Sequence, residues 1–114
     1  MKLEETGVLL RIFIGESDRW QGQPLYQVLV RRAREEGLAG ATVLRGLEGF
    51  GANSRLHSAN ILRLSQDLPL VVEIVDEEEK VRAFLPQIDE LVGEGLVTLE
   101  RVEVILYRRA EEQA

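Results

Sequence analysis

The sequence predicts an α+β fold, a ferredoxin-like βαββαβ sandwich with a four-stranded antiparallel sheet and two helices on one face. Two observations carry this. Residues 8–14 and 70–75 place apolar side chains at a period of two, and each segment is followed by an apolar stripe at helical spacing, in 25–33 and in 81–92. The element order is then β-α-β, a central polar loop, β-α-β. Two split βαβ halves with right-handed crossovers close into this arrangement.

Each element has its own signal. Val8, Leu10, Ile12 and Ile14 share one face of the first strand, and Leu9, Arg11 and Phe13 share the other, so the strand is expected to be central. GESDRWQGQP reads as a loop. Pro24 suits the first turn of a helix, where its missing N–H is not needed. Leu25, Val28, Leu29 and Ala33 form that helix's buried stripe, and Gly37 its stop. A second strand through Ala41, Val43 and Arg45 runs into Gly46, Gly49 and Gly51. After a polar gap, residues 60–65 read as a returning strand and QDLP as a turn. Pro69 fits just before the strand 70–75.

Asp76 and Glu79 have the spacing of an acidic capping box opening the second helix. Val81, Phe84, Leu85, Ile88, Leu91 and Val92 define its stripe, and Pro86 within it is expected to kink it. Gly93 and Gly95 end the helix. Residues 96–107 form a final strand region. Its apolar parity changes between Val97/Leu99 and Val102/Val104/Leu106, so a bulge or break is expected there. The chain reads as one domain, 1–114, with a core of about 6–107, a loop at about 50–59 and a frayed tail at 108–114.

This arrangement leaves one face of the sheet without helices. Leu9 and Phe13 fall on it, as do Val71 and Val75. An apolar surface of this kind is a signal for association, and sheet-to-sheet packing in a closed ring would cover it.

Composition bounds the function. The chain has 114 residues, 45% of them hydrophobic, and a net charge of −6 from 20 acids and 14 bases. Bulk charge disfavours non-specific nucleic-acid binding. There is no cysteine, hence no thiolate chemistry. No apolar run is long enough to span a bilayer, and the start lacks a signal peptide's order, so a soluble cytoplasmic protein is expected. Lys2 and Lys80 are the only lysines. Arginine suits bidentate contact with phosphate or carboxylate, and its excess also fits a heat-adapted or GC-rich source.

Three segments then carry a family resemblance. GATVLRGLEGFG resembles the strand by which PII signalling proteins enter their mobile T-loop. ELVGEGLVTLERVEVI is similar in position to the PII B-loop and the strand after it. RGLEGFG, LSQDLPLVVEIVDEEEKV and LVGEGLVTLERVEVILY, in order and at matching spacing, resemble the PII-like proteins of domain-of-unknown-function family 190, over about residues 6–107.

The resemblance implies a homotrimer with inward-facing sheets. It implies an adenine nucleotide in clefts between subunits, and a loop that reports ligand state to a membrane channel or transporter, by family association of the fluoride-channel type. Gly49, Phe50 and Gly51 match the T-loop base, where bare backbone lies close to the nucleotide. Ala41, Thr42 and Val43 match the strand start that helps hold the base. Gly93, Glu94 and Gly95 match the B-loop, where glycine-turn N–H groups form an anion nest. The departures bear on the ligand. Glu94 stands where PII proteins carry a B-loop lysine, and the following strand offers Arg101, then Arg108 and Arg109 late. AMP or ADP is therefore expected over a triphosphate. The uridylylated tyrosine and the 2-oxoglutarate residues are unmatched.

Other residues read more simply. His57 lacks a nucleophile and an orienting carboxylate nearby, so with Asn53 and Arg55 it reads as a loop or partner contact rather than a base. No metal-ligand spacing occurs. The acid run 76–79 is accounted for by capping and the helix dipole. Arg45 and Arg63 pair with Glu48 or Glu73, or meet a phosphate; Arg11 is similarly open. Trp20 with Tyr26 reads as loop anchoring. The chain is expected to be a regulatory module and not an enzyme. The alternatives are a ligand-independent trimeric adaptor, or a small phosphoanhydride hydrolase using Arg19 in a loop after strand 1.

Overall fold

The computed structural model describes residues 6–50, 57–58, 68–108 and 110. Its main sheet has four strands: β1 (Thr6–Gly15), β4 (Thr42–Arg45), β7 (Pro69–Asp76) and β8 (Leu96–Glu103). They lie in the order β4-β7-β1-β8, with every neighbouring pair antiparallel. Two helices, α1 (Leu25–Glu35) and α2 (Glu78–Leu91), cover one face. This is the ferredoxin-like arrangement, with β1 central as its two apolar faces require. The expected returning strand at 60–65 lies outside the described residues. A two-residue strand, β6 (His57–Ser58), pairs with β5 (Glu48–Gly49) beside the main sheet.

The core follows the predicted parities. Val8, Leu10, Ile12 and Ile14 from β1, with Leu70, Val72 and Ile74 from β7, are buried against α1 and α2. Burying such a side chain contributes about 1.5–3 kcal/mol. The largest is Phe84, at the centre of the α2 stripe. Pro86 lies inside α2, as expected.

Four local readings change. The loop after β1 contains a small hairpin, β2 (Arg19–Trp20) and β3 (Gln23–Pro24), whose turn residues Gln21 and Gly22 both have positive φ, as a type I′ turn demands. Pro24 therefore stands just before α1 rather than inside its first turn. Trp20 of this hairpin packs on the core, and the Arg32 guanidinium sits 5.3 Å from its ring centre.

The acidic capping box does not form. The α2 N-cap is Glu77, without a side-chain cap, and Asp76 is the last residue of β7. Asp76 sits at an inward parity position, and its carboxylate is directed to two backbone N–H groups instead.

No bulge interrupts β8 either. Its register on β1 is continuous from Leu96 opposite Phe13 to Glu103 opposite Thr6. The parity change arises because β8 outruns the apolar cover of α2. Arg101, on the helix side, meets Glu78 at the α2 N-terminus instead of core. Residues 104–108 then leave the ladder.

Arg45 pairs with Glu16 rather than with Glu48 or Glu73.

Candidate functional site

The wall of the site begins at the end of α1. Gly37, with φ of 80°, closes the helix in a Schellman motif: its N–H donates to the Arg34 carbonyl at 3.1 Å, and the Leu38 N–H to the Ala33 carbonyl at 3.1 Å. Leu38 is buried as that motif favours. Lys80 Nζ donates to the Gly37 carbonyl at 3.0 Å and ties α2 to the same turn. Asp76 completes the junction. Its Oδ2 accepts from the Ala39 N–H at 2.9 Å and its Oδ1 from the Glu77 N–H at 2.6 Å, in a place with 0% exposure. One buried carboxylate thus fixes both the entry to α2 and the segment leading into β4.

β4 is an edge strand, with Thr42 opposite Glu73 and Val43 opposite Val72. The Gly46 N–H donates to the Pro69 carbonyl at 2.7 Å, which sets the hydrogen-bonding phase of the ladder. By the alternation of antiparallel pairing, the backbone groups of Ala41 and Val43 point off the sheet edge. Their side chains pack on the core, while Thr42 is exposed on the open face.

The glycines after β4 have a packing reason of their own. A Cβ at Gly46 would stand 2.8 Å from Pro69 Cγ, and one at Gly49 3.3 Å from the same atom. The chain folds closely over the proline that opens β7. Phe50, next to Gly49, is 74% exposed. Gly51, Asn53 and Arg55 lie outside the described residues, and for His57 only its backbone place in β6 is described.

Gly93, Glu94 and Gly95 form the turn between α2 and β8, at the opposite edge of the sheet. Gly95 is held by space, since a Cβ there would come within 2.6 Å of the Phe13 carbonyl oxygen. Arg101 is exposed, and its Nη1 lies 2.9 Å from Glu78 Oε1. Glu78 also accepts from Arg82 Nε at 2.7 Å; that bond first, and Arg101 second, holds its carboxyl below the usual range. The structure therefore places 41–43 and Gly49 along the β4 edge, with Thr42 opposite Glu73 and Gly49 close to Pro69, and places Gly93 to Gly95 and Arg101 along the β8 edge, with Leu96 opposite Phe13 and Arg101 opposite Val8. Within one chain these two groups are separated by the width of the sheet.

The open face carries the second feature. Leu44, Val71, Phe13 and Leu96 are directly opposite one another and form an apolar row across all four strands. Leu44 is 49%, Phe13 36% and Leu96 57% exposed. In the next row Arg11 donates to Glu73 at 2.9 Å and to Glu100 at 2.7 Å, which raises the guanidinium's affinity for its proton. Sequence reasoning found Phe13 and Val71, but not Leu44 and Leu96, which become neighbours only through the register.

At the other end of the open face a groove of about 450 Å³ runs between residues 39–42 and the segment holding Val104, Leu106 and Tyr107, over Glu73 and Val75. Among the described residues no group of three or more His, Asp or Glu side chains could hold a metal ion, and no helix is long and apolar enough to cross a membrane.

Likeness to known proteins bears on this geometry. Residues 7–104 match the sequence profile of DUF190, described as an uncharacterized ACR. The chain belongs to this family. It is 48% identical over 99 residues to a UPF0166 protein of Aquifex aeolicus, spanning 85% of this chain and 91% of that one. A UPF0166 protein of Methanocaldococcus jannaschii is 34% identical over 92 residues, spanning 80% of this DUF190 chain and 84% of its relative. Among solved structures, a candidate PII-like signaling protein of Thermus thermophilus superposes with a TM-score of 0.63 at 19% identity, covering 88% and 90% of the two chains. CPII of Thiomonas intermedia, a nitrogen regulatory PII-like protein solved bound to ADP, AMP and bicarbonate, superposes with a TM-score of 0.61 at 16% identity, covering 87% and 88%. The DUF190 chain thus has the PII-like fold.

Proposed function

We propose that this DUF190 protein is a PII-like regulatory protein, not an enzyme. Three copies close into a ring, bind an adenine nucleotide at their seams, and signal through the 50–59 loop to a membrane transport protein. The observation that carries the reading is the apolar row Leu44, Val71, Phe13, Leu96 on a sheet whose two candidate binding groups sit at opposite edges. Packing open faces together buries that row. A ring that sets the β4 edge of one copy beside the β8 edge of the next unites the two groups, which one copy cannot do.

The PII-like CPII structure with ADP and AMP supports the choice of ligand. AMP or ADP is favoured over ATP because Arg101 is already engaged by Glu78 and the B-loop position holds Glu94. A ligand that orders the 50–59 loop acts through its differential affinity for the two loop states.

One observation weighs against the hydrolase reading. Where a phosphate-binding loop would follow β1, the Asp18 carboxylate accepts the Gly15 N–H at 2.9 Å, placing negative charge at the donor a phosphate would need. The adaptor reading keeps one supporting observation, the engagement of Arg101.

Sedimentation and calorimetry test the proposal together. A trimer at micromolar concentration that gives binding heat with AMP or ADP is expected. A stable monomer, or no heat and no thermal shift with AMP, ADP, ATP or cyclic nucleotides, sinks it. Nucleotide released on denaturing the purified protein, seen by mass spectrometry, decides against the adaptor.

A further inference from the structure

We propose that Glu100 is a built-in brake on self-association through the open face. The inference rests on the ring reading above, and adds to it a residue that sets how tightly the copies hold. The register assigns each charged side chain of the main sheet to a face. Arg45, Asp76, Arg101 and Glu103 fall on the helix side. Arg11, Glu73 and Glu100 fall on the open side, with Arg11 opposite Glu73 on β7 and Thr98 on β8, and Glu100 opposite Leu9. The open side of β4 carries Thr42 and Leu44 and no charge. The face thus sets one positive charge against two negative ones. Arg108, past the end of the ladder, makes no ion pair with a described residue.

One guanidinium is shared between the two carboxylates. Arg11 Nε donates to Glu73 at 2.9 Å and its Nη1 to Glu100 at 2.7 Å. The Glu73 side chain is 28% exposed and that of Glu100 57%, so Glu100 is the carboxylate turned toward water. In a free copy that water screens its charge. Packing open faces together removes the water, and a buried charge without a counter-charge of its own is costly. Identical copies cannot supply one. Each brings the same excess, so no rotation or register of one such face against another cancels it. The neighbouring apolar row drives closure, and Glu100 keeps the closed assembly dissociable.

The test follows the exchange of copies between heavy- and light-isotope preparations of the full chain by native mass spectrometry. Three variants are run beside the parent, their folding checked by circular dichroism and melting temperature. Glu100→Gln keeps the side chain's shape and an oxygen for Arg11 to bond, and removes the excess charge. It slows exchange about tenfold or more, since like charges set together across an interface are costly and interface changes act mostly on dissociation. Arg11→Gln deepens the excess and speeds exchange by a comparable factor. Glu90→Gln removes one charge from an exposed position of α2 instead, and stays within about threefold of the parent because distant exposed charges are screened. That control separates the open face from the chain's net charge of −6. Glu100→Gln exchanging no more slowly than Glu90→Gln overturns the inference and leaves the ring reading standing. A parent that stays monomeric at micromolar concentration ends both.

Discussion

Replacing Asp76 tests whether one buried carboxylate organises the junction that sets the groove wall. In Asp76→Ala, the Ala39 and Glu77 N–H groups lose acceptors at 2.9 and 2.6 Å. A hydrogen bond to a charged group contributes about 1.5–3 kcal/mol, so the two together amount to roughly 3–6 kcal/mol. Relief from burying a charge offsets part of this, and a net loss of about 3 kcal/mol is expected. For a domain of this length that lowers the melting temperature by roughly 12 °C, using about 4 °C per kcal/mol. Asp76→Asn keeps one acceptor and turns an NH2 toward the other N–H, so about half the loss remains. The assay is thermal unfolding at one fixed protein concentration, because association adds a concentration-dependent term. Hydrogen exchange at Ala39 should quicken in both variants. A melting change under about 4 °C for Asp76→Ala would refute the assignment of this residue as the tie between β7, the α1 exit and α2.

Three further outcomes follow from the geometry. Phe13→Lys puts a charge in the middle of the apolar row and should convert the proposed trimer to monomer in sedimentation while the helical circular dichroism persists; a variant that sediments as the parent does means the open face is not an interface. Gly95→Ala drives a methyl group to within 2.6 Å of the Phe13 carbonyl oxygen and should cost about 1–3 kcal/mol in denaturant unfolding, the range for overpacking. The Glu78 carboxyl, held down first by Arg82 and then by Arg101, should titrate below an ordinary glutamate in NMR, and Arg82→Ala should raise it more than Arg101→Ala. Because the folded value is the lower one, the pairing's contribution is present above the ordinary glutamate range and is lost as pH falls through the folded value. Acidification through that window releases Arg101.

The periodicities of 8–14, 70–75, 25–33 and 81–92 determined by themselves which side chains enter the core, since a period of two or 3.6 assigns a face without knowledge of any neighbour. Gly37 likewise announced the end of α1, because its left-handed conformation is a local matter. The DUF190 resemblance was also legible in three ordered segments. Partners distant in the chain were not. Asp76 is three residues before Glu79 and looks like a cap, yet its carboxylate is spent on Ala39, 37 positions away. Arg45 found Glu16, and Arg101 found Glu78, because strand register and helix placement choose among carboxylates that sequence spacing treats alike. Leu44 and Leu96 join Phe13 only through two separate ladders. Tyr107 comes to face residues 39–42 only because the chain leaves β8 after Glu103. Local pattern decides what a residue buries. Which residues meet across the sheet is decided by closure of the fold, where contact energies between segments far apart in the chain outweigh local preference.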